Sequence, residues 1–390
     1  MLSRVHEGKR IVYLDSAAST PSPRAVLERE QRCREQVAAN VHRGRHLLSE
    51  EASLAYDGAR ARVARFVNAE PRAIVFVRGT TEALNLVARG LSLGKGDVVL
   101  TTSAEHHSNL VPWLRAATVR YLEGAAHRPL DPEVVRRALA AHRPKVLALH
   151  HASNVTGVVQ PVAALAALAR EHGALTVVDA AQSAPHLPLD VERLGVDFLA
   201  FSGHKMLGPK GIGVLYGRPE LLARLDPLVV GGGAVQTVTR DGFSLRPPPE
   251  GLEAGTPNVT GAVGLAAAMD FLEAAGREAI EAHGRRLGTV LRDVASRLPV
   301  ARVLTAAEGE SIPIVSLVLR AGSIGADQLA VTLSDSFAVM VRSGLQCAHP
   351  LFAELGASDG AVRASAYLYN DEADIHTFGA SCASVLRRLA

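Results

Sequence analysis

From about residue 73 to residue 217 the chain alternates short apolar runs, rich in β-branched residues, with longer stretches whose apolar positions recur at helical spacing. AIVFV precedes TTEALNLVARGL, DVVLTT precedes HSNLVPWLRAA, and KVLALH precedes PVAALAALAREHG; LTVVDA, FLAFSG and GIGVLYG follow. Strand-length runs separated by helices predict a mainly parallel sheet covered by helices, an α/β architecture. Ligands of such sheets gather at the carboxyl ends of the strands. Polar residues follow those ends directly: Gly79-Thr80-Thr81, Glu105-His106, Ser153-Asn154, Asp179 and Ser202-Gly203-His204-Lys205.

After a Gly/Pro-rich passage from residue 231 to 258 the pattern changes. A long helical region begins at about Gly261 and leads into IPIVSLVL, a helix-like GADQLAVTLSDSF, AVMVRSG, AVRASAYLY and a final helix. This is an α+β tail the size of a second domain, as a 390-residue chain requires, since single cores stop growing at roughly 250–300 residues. No internal repeat, heptad pattern or low-complexity tract is present.

Composition narrows the function. A net charge of +3 without runs of like charge gives no basic stripe for nucleic acid. No apolar run reaches the roughly 18 residues of a membrane span, and the opening MLSRVHEGKRIVYLDSAAS lacks a signal-peptide core. A cytoplasmic protein is expected, without membrane or nucleic-acid partners. Cys33, Cys347 and Cys382 are too few and too scattered for a disulfide framework or a zinc cluster, and each alone reads equally as a small hydrophobe. The pairs His106-His107 and His150-His151 suggest metal ligands, but adjacent residues point to different faces, so no metal site is expected.

Lysine is rare: five residues against thirty-seven arginines. Two of the five, Lys205 and Lys210, fall in FSGHKMLGPKGIGVLYG. Arginine cannot replace an amine nucleophile. A lysine in a dry pocket can form a Schiff base with an aldehyde, and the obvious aldehyde is pyridoxal phosphate. That cofactor needs a carboxylate at its pyridine nitrogen, hydroxyls and free amides for its phosphate, and something flat on its ring. Asp179, Gly79-Thr80-Thr81 and His106 are candidates for these tasks. Taken singly, Asp179 serves as well as a helix cap or turn former, and the Gly-Thr-Thr as a plain N-cap. Their occurrence at successive strand ends is what favours the cofactor.

Ten ordered stretches carry a wider likeness: YLDSAAS, VHRGRHLLS, FVRGTTEALNLVA, EHHSNLVPW, HASNVTG, VDAAQS, FSGHKMLGPKGIGVLY, EAGTPN, VRSGLQCAHP and VRASAYLYN. Over nearly the whole chain the sequence resembles the class V, fold-type I pyridoxal-phosphate enzymes, and most closely the SufS-like, NifS-related cysteine desulfurases. The resemblance implies a large cofactor-binding domain (16–262) around a mainly parallel seven-stranded sheet. It also implies a smaller α+β domain (1–15 and 263–390) carrying a catalytic cysteine. Lys205 would be the Schiff-base lysine, with Lys210 on a variable loop. Asp179 would pair with the pyridinium, Gln182 with the ring hydroxyl, and His106 would stack on the ring and shuttle protons. Thr80, Thr81, Ser202 and His204 would hold the phosphate, joined by Thr256 from the partner subunit of a homodimer. Asn154, Arg342 and Arg363 would bind the substrate carboxylate, Asn154 also facing the cofactor. Cys347 would accept sulfur from L-cysteine as a persulfide, releasing alanine and passing the sulfur to an acceptor protein or thiol for iron–sulfur cluster assembly or another sulfur-transfer pathway.

The chain departs from the pattern in places. Leu345 and Gln346 stand where many close relatives carry one or two histidines, the arm before YLDSAAS is short, and the loop from Gly231 to Gly255 is trimmed. Selenocysteine lyase, or another class V aminotransferase, lyase or epimerase, is the alternative activity, because fold and cofactor do not fix the reaction. A non-catalytic scaffold is a third possibility, against which the intact Lys205 and Asp179 argue.

Overall fold

The computed structural model describes residues 2–37, 39–122, 124, 128–306, 309–320 and 324–388. Its centre is a seven-stranded sheet in the spatial order Ile74–Val77, Gly213–Gly217, Phe198–Ser202, Leu175–Asp179, Val146–His150, Val98–Thr102, Thr118–Leu122. Gly213–Gly217 runs antiparallel to both neighbours; the other six strands share one direction, as the alternating pattern predicts. The inner strands are buried along their length because helices cover both faces. Thr118–Leu122 has no counterpart in the sequence reading, which places only the helix before it there. It is an edge strand that exposes Arg120 and Tyr121, so no continuous apolar run marks it.

Two helices in a region left unassigned from sequence, Arg24–Gln36 and Leu47–Phe66, pack with Val259–Ala275 on one face of the sheet. On the other face Leu84, Val87 and Trp113 close over Val99, Val177 and Leu215. The division expected after residue 262 falls inside the Val259–Ala275 helix, whose buried Ala262, Leu265, Met269 and Leu272 all belong to the first of these clusters. At Gly276 a φ of +85° ends this helix and begins Arg277–Ser296 with a bend of 77°.

Beyond that bend a four-stranded antiparallel sheet runs in the order Arg302–Leu304, Ile314–Val318, Ala361–Ser365, Arg342–Gly344. Helices Arg277–Ser296, Ala326–Phe337 and Glu372–Arg388 cover it through Leu287, Leu291, Leu329 and Phe378. The amino-terminal strand Val12–Tyr13 joins this body in parallel with Val339–Met340. No single helix among the described residues is long and apolar enough to cross a membrane.

Candidate active site

A cavity of about 210 Å³ opens at the carboxyl ends of the central strands. It is lined by Thr80, Thr81, His106, Asn154, Asp179, Gln182, Ser202, His204, Lys205, Arg342, Cys347 and Arg363, so twelve of the expected residues meet in one place. Ala17, Ala18, Ser108 and Gln346 complete much of the wall without having been anticipated. Thr256 is not there; it lies in a separate cavity of about 340 Å³ with Tyr56, Phe76, Glu253 and Asn258. Lys210 is exposed in the turn after Lys205.

The local fold explains the convergence. Bare backbones meet where Gly213 passes Gly79: a Cβ on Gly213 would stand 2.5 Å from the Gly79 Cα. That approach brings Ser202, at the end of Phe198–Ser202, to the start of the helix Thr80–Gly90. Ser202 Oγ accepts the Thr80 N–H at 2.8 Å and lies 2.7 Å from Thr80 Oγ1. Thr81 Oγ1 is 2.7 Å from Ser108 Oγ. The N-terminus of this helix therefore offers amides, hydroxyls and the positive end of its dipole to an anion.

Asp179 closes the strand Leu175–Asp179, buried, and its Oδ1 accepts the Ala181 N–H at 2.9 Å. Burial pushes its carboxyl above the ordinary value against the pull of Lys205. Burial likewise pushes the Lys205 ammonium down, with Asp179 opposing and Arg363 adding to the fall. A partly buried amine with a lowered pKa, lining a cavity, is a nucleophile in waiting.

His106 lines the same space, and its Nδ1 accepts the Ser108 N–H at 3.1 Å, which leaves the proton on Nε2. Burial and then Lys205 push it down to about 3, so the ring is neutral at physiological pH. Gln182 donates from Nε2 to the Ala17 carbonyl at 2.8 Å, while its Oε1 is buried without a partner.

Arg363 and Arg342 are register partners on adjacent strands, one buried and one exposed. Arg363 donates from Nη1 to the Asn154 carbonyl at 3.0 Å and from Nη2 to Asp15 Oδ1 at 3.1 Å; its buried Nε has no partner. Asp15, in the YLDSAAS stretch, is a site residue that the sequence reading missed. The two guanidiniums make this end of the cavity a place for a carboxylate.

Cys347 follows the Arg342–Gly344 strand on a turn in which Gln346 and Cys347 both adopt left-handed backbone, at φ +49° and +57°. Residues at the ends of the central strands hold this turn. Asn154 Nδ2 donates to the Gln346 carbonyl at 2.8 Å, and the His107 N–H to the Cys347 carbonyl at 2.8 Å. His107 Nε2 also accepts the His349 N–H at 3.3 Å, with the two rings edge to face at 4.4 Å. His107 and His349 thus lie beside the turn that carries Cys347, a connection sequence reasoning had not made.

The residues present fit pyridoxal phosphate. The orphaned Gln182 Oε1 awaits a donor such as the ring hydroxyl, the buried Asp179 and the partly buried Lys205 call for a cationic ring and an aldehyde, and the Thr80 helix calls for a phosphate. These demands belong together only in the pyridoxal-phosphate enzymes built on an α/β sheet, and that is the class defined here. The chain belongs to the aminotransferase class-V family, whose model matches residues 12–378. It is 42% identical to probable cysteine desulfurase 2 of Mycobacterium leprae, over 96% of this chain and 92% of that one. It is 40% identical to the cysteine desulfurase CsdA of Escherichia coli, over 93% and 91%. Among solved structures, the apo cysteine desulfurase of Thermococcus onnurineus superposes with a TM-score of 0.92 at 38% identity, covering 97% of this chain and 95% of that one.

Proposed function

We propose that this protein is a pyridoxal-phosphate-dependent cysteine desulfurase that converts L-cysteine to L-alanine and retains the sulfur as a persulfide on Cys347. The observation that carries this reading is the free thiol of Cys347 in the same cavity as Lys205 and Asp179. An aminotransferase has no use for a thiol there.

When bound, pyridoxal phosphate supplies an electron sink that labilises bonds at the substrate's α-carbon. Asp179 would hold the ring nitrogen, Gln182 the ring hydroxyl, and Thr80, Thr81, Ser202 and His204 the phosphate. Lys205 would supply the amine for the aldehyde, and its Nζ would be the base for the substrate's α-proton. His106 would lie against the cofactor and hold a proton on Nε2. Arg342 and Arg363, with Asn154, orient the substrate carboxylate so that the side-chain sulfur lies toward Cys347. Cys347 Sγ, as thiolate, forms a bond to the substrate sulfur as the carbon–sulfur bond breaks. The electron pair of that bond stays on carbon, which takes up a proton and departs as alanine. A thiol of an acceptor protein, or free in the cytoplasm, then removes the outer sulfur.

A homodimer is part of the proposal: Thr256 lies outside its own chain's cavity, which supports a role at the partner's phosphate, and two-fold dimers are the commonest oligomers. The direct test is alanine and sulfide release from L-cysteine with a reductant, together with mass spectrometry of Cys347 before reduction. Borohydride should fix the cofactor on Lys205. A label on Lys210, or turnover without sulfur on Cys347, would defeat the assignment, and a catalytically active monomer in sedimentation would remove the role of Thr256.

A further inference from the structure

A second polar cluster lies behind the cavity, and the reaction above does not use it. Glu105 has no exposed surface and His150 almost none. Glu105 Oε1 accepts from His150 Nδ1 at 2.7 Å and from Thr102 Oγ1 at 2.8 Å, and its Oε2 accepts from Asn109 Nδ2 at 2.7 Å. Trp113 Nε1 fixes Asn109 in turn, donating to its Oδ1 at 3.2 Å. Three donors converging on one buried carboxylate are the surroundings of an anion.

His150 stands between this anion and the cofactor cavity. It is the register partner of Asp179 on the neighbouring parallel strand, so the two side chains leave the same face of the sheet. On its far side Nε2 is 3.4 Å from Gln160 Nε2, which is turned that way because Gln160 Oε1 accepts the Leu130 N–H at 2.8 Å. The Gln160 amide nitrogen thus faces this ring nitrogen at the long end of hydrogen-bond distance. Burial would push His150 down, yet Glu105, and further off Asp179, carry it above the usual histidine value. The charged and titratable groups around the ring are Glu105, Asp179 and the neutral His151, with Lys205 beyond Asp179.

We propose that Glu105 and His150 are positioning residues for the cofactor: the couple sets an imidazolium beside Asp179, so that this carboxylate stays anionic and turned toward the ring nitrogen. The proposal rests on the role given to Asp179 above. Alternating charge then runs from Glu105 through His150 and Asp179 to the ring.

The test is a pH titration of the visible absorption band of the holoenzyme, with cofactor affinity measured by reconstituting the apoprotein. His150→Gln leaves Glu105 and Asp179 as facing anions. The band midpoint should rise by about one pH unit, a tenfold change in the proton equilibrium, and the cofactor Kd should rise about tenfold. Glu105→Gln removes the anion and, with it, the reason for the His150 proton, so its shift should be smaller. The double variant Glu105→Gln/His150→Gln should return the midpoint toward wild type. In wild-type protein carrying 15N-labelled histidine, both ring nitrogens of His150 should be protonated at pH 7.5. Variants that lower Tm while leaving the midpoint in place would reduce the couple to a packing role and overturn the proposal, as would a neutral His150 ring, a measurement that needs no variant. If Asp179→Asn also left the band unmoved, the role of Asp179 itself would be at fault.

Discussion

At Asp179 the backbone is ordinary strand, paired with His150 on one side and Ala200 on the other, and the carboxylate is held by a neighbouring amide. At Cys347 it is a turn of two successive left-handed residues, held by the Asn154 side chain and the His107 amide, which lie far off along the chain. Such backbone costs about 1–3 kcal/mol per residue and persists only where its surroundings impose it. The difference follows from what each part must do. A cofactor wall must hold charges still, and sheet ends do so without strain. The nucleophile proposed for Cys347, meeting a substrate inside and a sulfur acceptor outside, has to sit at an opening, and the turn carries the thiol half-exposed.

The largest effect is expected at the wall. Lys205→Ala should lower alanine production by at least roughly 10³-fold, since it removes both the attaching amine and the proton carrier. The cofactor should still bind without becoming fixed by borohydride. A variant that keeps turnover within tenfold would show that the wall does not supply the reacting amine.

Changes in the turn should separate chemistry from binding. Cys347→Ser should abolish persulfide and cut L-cysteine turnover on the order of 10²-fold or more, while the absorption change on adding L-cysteine persists. Cys347→Gly should lose the same activity and gain about 1 kcal/mol of stability, because glycine adopts left-handed backbone freely. Equal denaturant midpoints for the serine and glycine variants would remove strain from the account of the turn.

The tie between the two regions is a smaller effect. Asn154→Ala releases the Gln346 carbonyl, and iodoacetamide should then modify Cys347 about tenfold faster, as loss of about 1.4 kcal/mol of restraint implies. An unchanged rate would mean that the His107 amide alone holds the turn.

How far each region could be read from sequence follows the same line. Asp179, Lys205 and the Gly79-Thr80-Thr81 start announced themselves because buried strands are continuous apolar runs, so the polar residue that ends one stands out. The edge strand Thr118–Leu122 made no such run. Arg363 and Cys347 were assigned through the family resemblance, but their supports were not legible. Asp15 meets Arg363 from 348 positions away, and Asn154 reaches Gln346 across 192. Nothing local marks a residue whose task is to brace another that far along the chain. Nor does composition reveal that Gln346 and Cys347 would take a conformation common for glycine, since tertiary contacts impose it against their own preference.

The smallest expected effect concerns His186, buried outside the cavity, in contrast to the half-exposed His107 and exposed His349 beside the turn. His186 is packed edge to face on Tyr367 at 4.8 Å, and burial lowers its pKa from 6.5 to about 3. Between those values the unfolded chain binds a proton that the folded one refuses. Stability therefore rises with pH across that window and is lost as pH falls through it. From pH 7.5 to 5.5 the loss from one such group is about 1 kcal/mol, or a degree or two in Tm for a chain of this length. His186→Gln should flatten the Tm profile by that amount below pH 6.5 and leave it parallel to wild type above. An unchanged profile in His186→Gln would overturn the reading of this ring as one that burial keeps neutral.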